Sequence, residues 1–496
     1  MAELSQSGLL TRESNVALDI TWVPAEFDWP AKVTLEMVRP LRVLEGRREV
    51  WLVRESSSQQ LLVAKRFLAG EKQQREFRRE VFGLKELDRR GIRGPELQFT
   101  AEGAEQGLWV ATRYIEDGES LSAIFHTREG SRFTEWSPIV KAFAETLVQH
   151  WRAGVYQADA HFDNFYWDDS AIYTLDVGLI QFKEPLLKEN FREDTLYKMA
   201  MRFPESIRTE LFEVLSEVSK NSTGQCEFRL PPVDERERKI DQMVLTEAHR
   251  VWKKSFRNSS KTVYQNSASM CSYALRDLDP ALINTFREDP EALMAMGVRL
   301  KSGNTCTVQK FEWKGRPMVL KRYNPKSIFY RLRHLFAMSR AKRSWANGHA
   351  LPTFSIQTPQ PLAMLEQKRF GLAVKTYFLM DCVEGCGLDV FFEKKPELPA
   401  LKDPIFREIQ MLFEKLRRYR IVHGDLKAKN LIVKDGQIWL IDTDGLQFDL
   451  GRERFKKGSQ KDLGRFLRNW DSRKELKEIF SKSLKRVPLT KSPNLL

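Results

Sequence analysis

Two stretches of the 496-residue chain place the same three side chains at the same intervals. In "VYQADAHFDNFYWDDSAIYTLDVG", residues 155–178, they are Asp159, Asn164 and Asp176; in "IVHGDLKAKNLIVKDGQIWLIDTDG", residues 421–445, they are Asp425, Asn430 and Asp442, each 266 positions further on. An in-register triple in matching apolar surroundings reads as an internal duplication, which limits the chain to a fold built twice. After Asn430, "LIV" and "IWLI" are short β-strands around "KDGQ", whose Asp-Gly is a hairpin turn; after Asn164, "FYW" and "IYTL" flank "DDSA" in the same way. A hairpin folds residues 12 apart onto each other, so each Asn and the Asp after it reach one point and can share one cation. The earlier Asp, on the entering loop, faces that point too. Amphipathic helices precede both loops, with Ile139, Phe143 and Leu147 in one and Ile405, Ile409, Leu412, Phe413 and Leu416 in the other.

This plan of helix, loop and hairpin resembles the phosphoryl-transfer site of protein-kinase-like folds. "HGDLKAKN" is similar to the kinase catalytic loop, with Gly424 where many protein kinases have Arg, a form shared by aminoglycoside and sugar kinases. The residue types suit the chemistry: Mg²⁺ takes oxygen ligands and offsets charge on the β- and γ-phosphates, while a loop Asp orients the acceptor hydroxyl and takes its proton. The resemblance implies a strand lysine at the α/β-phosphates and a helix glutamate that holds it. "LLVAKRF" supplies Lys65, and "REVFGLKELDRRGIRGPEL" supplies Glu80 on a helix ending near Gly91. In the second half "PMVLKRY" supplies Lys321, after "SGNTCTV", a candidate phosphate-covering loop. Aligning "GIRGP" with "SIQTP" sets Ser344 opposite Glu80, so this half lacks the glutamate, and Asn347 one turn later is a candidate substitute. Asp194 and Asp462 are each expected to open a helix, either bracing the catalytic loop or capping the helix itself.

Three second-half phrases, "RLKSGNTCTVQKFEWKGRPMVLKRYN", "SRAKRSWANGHALPTFSIQTPQPLAMLE" and "HGDLKAKNLIVKDGQIWLIDTDG", resemble the lipopolysaccharide kinase family, the Kdo and core-heptose kinases of Gram-negative bacteria. The likeness covers residues 290–475 well and 45–205 more loosely. It implies transfer of phosphate from ATP, with Mg²⁺, to a heptose or Kdo hydroxyl of the lipopolysaccharide inner core. It further implies Asp425 as catalytic base, Lys427 as a γ-phosphate contact, Asn430 and Asp442 as metal ligands and Lys321 as the nucleotide lysine. In the first half Asp159, His161, Asn164, Asp176 and Lys65, the last paired with Glu80, take the same roles. Each half departs from the pattern: Gln157 and Ala158 stand where the second half has His423 and Gly424, and the second half lacks the glutamate. The expected fold class is α+β, two bilobal protein-kinase-like domains in tandem over 36–205 and 291–490, with an N-terminal extension over 1–35 and a helical connector over 206–290. Two other readings compete: a pseudokinase scaffold of lipopolysaccharide assembly that binds nucleotide or other core-assembly enzymes, and a kinase acting on protein or small molecules.

Composition narrows the partners. Hydrophobic residues make up 42% and charged residues 30%, as in soluble globular chains. A net charge of +14 attracts polyanions, and no nucleic-acid-binding module accompanies it. From Lys321 to Trp345 eight Lys or Arg and no acid interleave with Ile328, Phe329, Leu332, Leu335 and Phe336. That pattern reads as a basic amphipathic helix, which either meets an anionic membrane surface or a phosphate-rich glycolipid, or packs its apolar stripe on the small lobe. With no apolar run near ~18 residues and no signal-peptide order at the N-terminus, the expectation is a cytoplasmic protein, peripheral at the inner membrane. Five scattered cysteines read as free thiols, Cys382 and Cys386 included, since no further Cys or His stands near to complete a zinc tetrad.

Overall fold

A computed structural model of the chain describes residues 15–44, 48–68, 70–103, 107–116, 118–127, 137–220, 228–259, 261–303, 305–324, 338–369, 372–394 and 403–486. They form two units, Met1–Ile240 and Asp241–Leu496, divided within the helix Val233–Lys254.

The first unit begins with a closed six-stranded barrel, in circumferential order Asn15–Trp22, Lys32–Leu44, Arg48–Glu55, Leu61–Phe67, Gly107–Arg113 and Leu97–Gly103. Alternation builds it: Val16 and Leu18, Val33, Leu35 and Met37, Trp51 and Val53 point inward with Phe99 and Trp109. Residues 15–35 are therefore not a mere extension, because the strand Asn15–Trp22 pairs with Lys32–Leu44 on one side and Leu97–Gly103 on the other, and its insertion closes the barrel. The helix Glu71–Arg89 sets Leu84 and Leu87 against Phe67, Ile92 and Val110 at the barrel's flank. Helices Ser137–Arg152, Glu189–Ala200 and Glu205–Val218 and the short hairpins follow.

The second unit holds a seven-stranded antiparallel sheet, in spatial order Thr262–Asn266, Met270–Leu275, Pro361–Arg369, Leu372–Asp381, Arg316–Tyr323, Cys306–Trp313 and Val298–Ser302. Across it runs the helix Arg340–Ala350, capped by Ser339, whose Oγ accepts from the Lys342 amide at 3.2 Å. Here the additional strands join only one edge, so the sheet stays open.

Residues 206–290 are not a connector throughout: the helix Val233–Lys254 holds the division between the units, but the elements on either side of it belong to them. The helix Glu205–Val218 packs on Ser137–Arg152, two strands of this segment belong to the second sheet, and Leu282, Ile283 and Phe286 enter the second core. The polar breaks around these short elements concealed their strands in the sequence. The basic stretch is corrected as well: Lys321–Tyr323 end a strand, residues 325–337 lie outside the described residues, and the helix begins only at Arg340. Its cations are paired within the unit, Lys342 to Glu366 at 2.6 Å and Arg340 to Asp444 at 2.5 Å. No described helix is long and apolar enough to cross a membrane. Cys271, Cys306, Cys382 and Cys386 are free thiols, while Cys226 lies outside the described residues.

Candidate active site

The two Asp-Asn-Asp sets are built by the same hydrogen bonds. The Asn430 amide donates to the Lys427 carbonyl at 2.9 Å, and the Asn164 amide to the His161 carbonyl at 3.0 Å, each closing a 3₁₀ turn. Asn430 Nδ2 donates to the Asp425 carbonyl at 2.8 Å and Asn164 Nδ2 to the Asp159 carbonyl at 2.9 Å. With each amide nitrogen committed to its own loop, the carboxamide oxygen is the ligand-facing atom. Hairpins follow as the sequence indicated, Leu431–Lys434 with Gln437–Leu440 and Phe165–Trp167 with Ile172–Thr174. The first turns at Asp435 and Gly436, φ 50° and 75°, where glycine takes the left-handed conformation without strain. In the second, the Asp168 carboxylate accepts the amides of Ser170 and Ala171. The Asn430 carbonyl then accepts from the Ile441 amide at 3.0 Å and the Asn164 carbonyl from Leu175 at 2.8 Å, which delivers Asp442 and Asp176 beside their Asn partners. Both aspartates are left-handed, φ 63° and 52°. A carboxamide oxygen and a carboxylate are the hard donors Mg²⁺ prefers, so these residues fit that ion.

What fixes each loop differs. His423 is wholly buried; its Nε2 donates to the Ile441 carbonyl at 2.9 Å and its Nδ1 accepts from the Asp425 amide at 3.3 Å, which settles its tautomer and makes it a loop-structuring group. Its counterpart Gln157 reaches the Leu175 carbonyl only at 3.5 Å. Asp462, also buried, accepts from the amides of His423 and Gly424 at 2.8 and 3.1 Å and pairs with Arg465, which donates to the Gly424 carbonyl. Neither Asp462 nor Asp194 opens its helix: they sit inside Arg452–Arg468 and Glu189–Ala200. Asp194 binds Tyr156 Oη and Lys198 Nζ, both at 2.6 Å, and Lys198 in turn holds the Ala158 carbonyl at 2.8 Å. At the loops' open ends Lys427 Nζ lies 2.8 Å from Asp425, with both side chains about half exposed, and His161 Nε2 lies 3.7 Å from Asp159.

The lysines are held differently too. Lys65 pairs with Glu80. Lys321 pairs instead with Asp442, the residue expected to hold metal. Burial works against the Lys321 charge, but Tyr323, Asp442 and Asp444 outweigh it and hold the ammonium well above its usual range. Burial likewise raises the Asp442 carboxyl, yet Lys321 dominates and holds it below the ordinary carboxylate range. Asn347 does not approach Lys321 as a substitute for the glutamate; its Nδ2 donates to the carbonyls of Thr443 and Leu446 at 2.8 and 3.0 Å. In the candidate phosphate-covering loop Ser302 pairs with Thr307 across the strands Val298–Ser302 and Cys306–Trp313, and the Gly303 carbonyl accepts from Asn324 Nδ2 at 3.0 Å. Sequence reasoning missed Asp444, bound by Arg340 and Arg343, although the 266-residue offset sets it opposite Gly178.

Residues 299–484 match the model of the lipopolysaccharide kinase (Kdo/WaaP) family. A 3-deoxy-D-manno-octulosonic acid kinase of Haemophilus influenzae (strain 86-028NP) is 26% identical over 181 residues, 33% of this chain and 74% of that protein. The KEOPS complex subunit Bud32 of Pyrococcus abyssi (strain GE5 / Orsay) is 34% identical over 91 residues, 16% of this chain and 40% of its own. The BubR1 kinase domain aligns at TM-score 0.31 and 11% identity over 44% of this chain and 82% of its own, too distant to argue from. The family match and these relatives support a protein-kinase-like fold for the matched region.

Proposed function

The region 299–484 belongs to the lipopolysaccharide kinase (Kdo/WaaP) family, which makes the chain a kinase, and we propose that it transfers the γ-phosphate of ATP to a sugar hydroxyl of the lipopolysaccharide inner core, heptose or Kdo. The observation that carries this reading is that one loop and hairpin, locked by Asp462, presents Asp425, Lys427, Asn430 and Asp442 together, with Lys321 reaching Asp442 from the sheet strand Arg316–Tyr323. Asp425, half-exposed and carried by a loop whose amides are fixed, orients the acceptor hydroxyl and takes its proton. Lys427 and Lys321 place positive charge where the phosphates run. Asn430 and Asp442 would hold Mg²⁺, which when bound offsets charge on the β- and γ-phosphates. The acceptor is an anionic glycolipid, so work at the cytoplasmic face of the inner membrane fits a chain with a net charge of +14.

We read the first unit as a second kinase-like domain in tandem, with Asp159 and His161 at its loop, Asn164 and Asp176 as its metal pair and Lys65 with Glu80 at its nucleotide. For this unit a second reading, binding nucleotide without transfer, is favoured by one observation: its loop amides are not gathered by a buried carboxylate as Asp462 gathers those of the second loop.

The test is transfer of label from γ-labelled ATP to a Kdo-bearing lipid A acceptor by the full chain. Asp425→Ala is expected to lower turnover by about 10²-fold or more, with an unchanged melting temperature. Unchanged turnover would remove the chemistry from this loop.

A further inference from the structure

The helix and loop that flank the nucleotide lysine can be matched between the units residue by residue. The Thr174 amide donates to the Arg93 carbonyl and the Leu440 amide to the Gln357 carbonyl, at 2.9 and 2.8 Å. Gly83 lies so near the Val177 carbonyl that a Cβ there would stand 2.6 Å from its oxygen; in the second unit Asn347 Nδ2 donates to the Thr443 carbonyl at 2.8 Å. Gly83 thus corresponds to Asn347 and Val177 to Thr443. The same register sets Glu80 opposite Ser344 and Gly178 opposite Asp444.

At those two positions the carboxylate has changed sides. In the first unit the helix gives Glu80 and the loop gives Gly178, where a Cβ would stand 2.8 Å from Glu80 Oε2, so only one of the two positions can carry a large side chain. In the second unit the helix gives the small Ser344, whose hydroxyl meets Tyr323 Oη at 2.7 Å, and the loop gives Asp444. Asp444 is buried, with Arg340 Nε on its carboxylate at 2.5 Å and Arg343 Nε on its carbonyl at 2.7 Å. The Arg340 guanidinium and the Lys321 ammonium both rest against the Tyr323 ring, 4.8 and 4.9 Å from its centroid.

We propose that Asp444, anchored by Arg340, is the positioning carboxylate for Lys321, supplying from the loop what Glu80 supplies from the helix in the other unit. This rests on the kinase reading of the second unit. It gives Lys321 two carboxylates with different duties. Asp442 pairs with it and would be the metal's ligand, whereas Asp444, bound by Arg340 whose guanidinium shares the Tyr323 ring with Lys321, is the fixed counter-charge. Arg340 and Arg343 keep Asp444 from turning out to solvent, and Asn347 fixes the backbone on which Asp442 and Asp444 sit.

The experiment is Mg·ATP titration, by calorimetry, of full chains that all carry Asp176→Ala, so that binding reports on the second unit. Asp444→Gly is expected to weaken affinity about tenfold or more. Adding Ser344→Glu, which returns the carboxylate to the helix, is expected to restore most of it. The melting temperatures of the two unliganded variants separate positioning from folding, since a purely structural role would move melting and affinity together. Wild-type affinity in Asp444→Gly, or no recovery in the double variant, would overturn the proposal. Absence of Mg·ATP binding in the parent would instead overturn the kinase reading beneath it.

Discussion

Asp462 and Asp194 look alike in the sequence and act differently in the fold. Asp462 is 4% exposed and accepts the backbone amides of His423 and Gly424, with Arg465 beside it, so Asp462→Ala leaves loop donors unpaired and leaves Arg465 only the Gly424 carbonyl. The expected cost is about 3 kcal/mol, read by urea unfolding of the full chain. Asp194, whose side chain is 30% exposed and partnered by Tyr156 and Lys198, is expected to cost about 1 kcal/mol on the same substitution. Equal costs would mean that both aspartates brace their loops alike. What was legible at this scale was the Asp-Asn-Asp spacing, because a hairpin converts a fixed sequence interval into proximity. Asp444, Arg340 and Asn347 were not legible in their roles: their partners lie about a hundred residues away, and only the packing of a helix on a 3₁₀ turn brings them together.

At the scale of elements, periodicity located the helices Ser137–Arg152 and Pro404–Arg418 and both hairpins, since each buries one face and shows it in the sequence. It did not locate the strands Asn15–Trp22 and Met270–Leu275, which are strands by virtue of the sheet edge they complete. The helix Ser137–Arg152 also carries a pH dependence. His150 is buried, its Nε2 joins Thr174 Oγ1 of the hairpin at 2.9 Å, and burial pushes its pKa down to about 4. Unfolded, the imidazole takes its proton near ~6.5, so the stability it contributes is present above that pH and is lost as pH falls from there toward the folded value. By pH 5 the loss is on the order of 2 kcal/mol. His349 in the second unit is shifted the same way, by burial and then by Lys261. Urea midpoints at pH 7 and pH 5 check this: His150→Leu is expected to reduce the loss seen in the wild-type chain and to leave the part due to His349. An unchanged difference would place the acid sensitivity elsewhere.

For the molecule as a whole, the two lysines proposed to meet nucleotide are held by different partners, Lys65 by Glu80 and Lys321 by Asp442. A net charge of +14 adds a long-range attraction for anionic surfaces, so sedimentation with anionic vesicles is expected at low salt and is expected to fade near ~0.5 M salt, where screening is short-ranged; salt-independent binding would discard the electrostatic account. Nucleotide discriminates between the units more sharply. Lys321 and Asp442 hold each other, so Mg·ATP entering the second unit must part an ion pair before it gains either partner. Lys65 is held by Glu80, which is not a proposed metal ligand, so the first unit meets nucleotide with its lysine already in place. The first unit is therefore expected to bind Mg·ATP more tightly, even where the second performs the transfer. Ligand at about 100 times Kd adds roughly 2.7 kcal/mol to the unit it binds, enough to follow by thermal shift in the full chain. Asp176→Ala is expected to remove most of the shift seen at low nucleotide, and Asp442→Ala to remove the part that appears only at higher concentration. The reverse order would mean that the Lys321–Asp442 pair opens at little cost and that the site with the preformed lysine and glutamate is the weaker of the two.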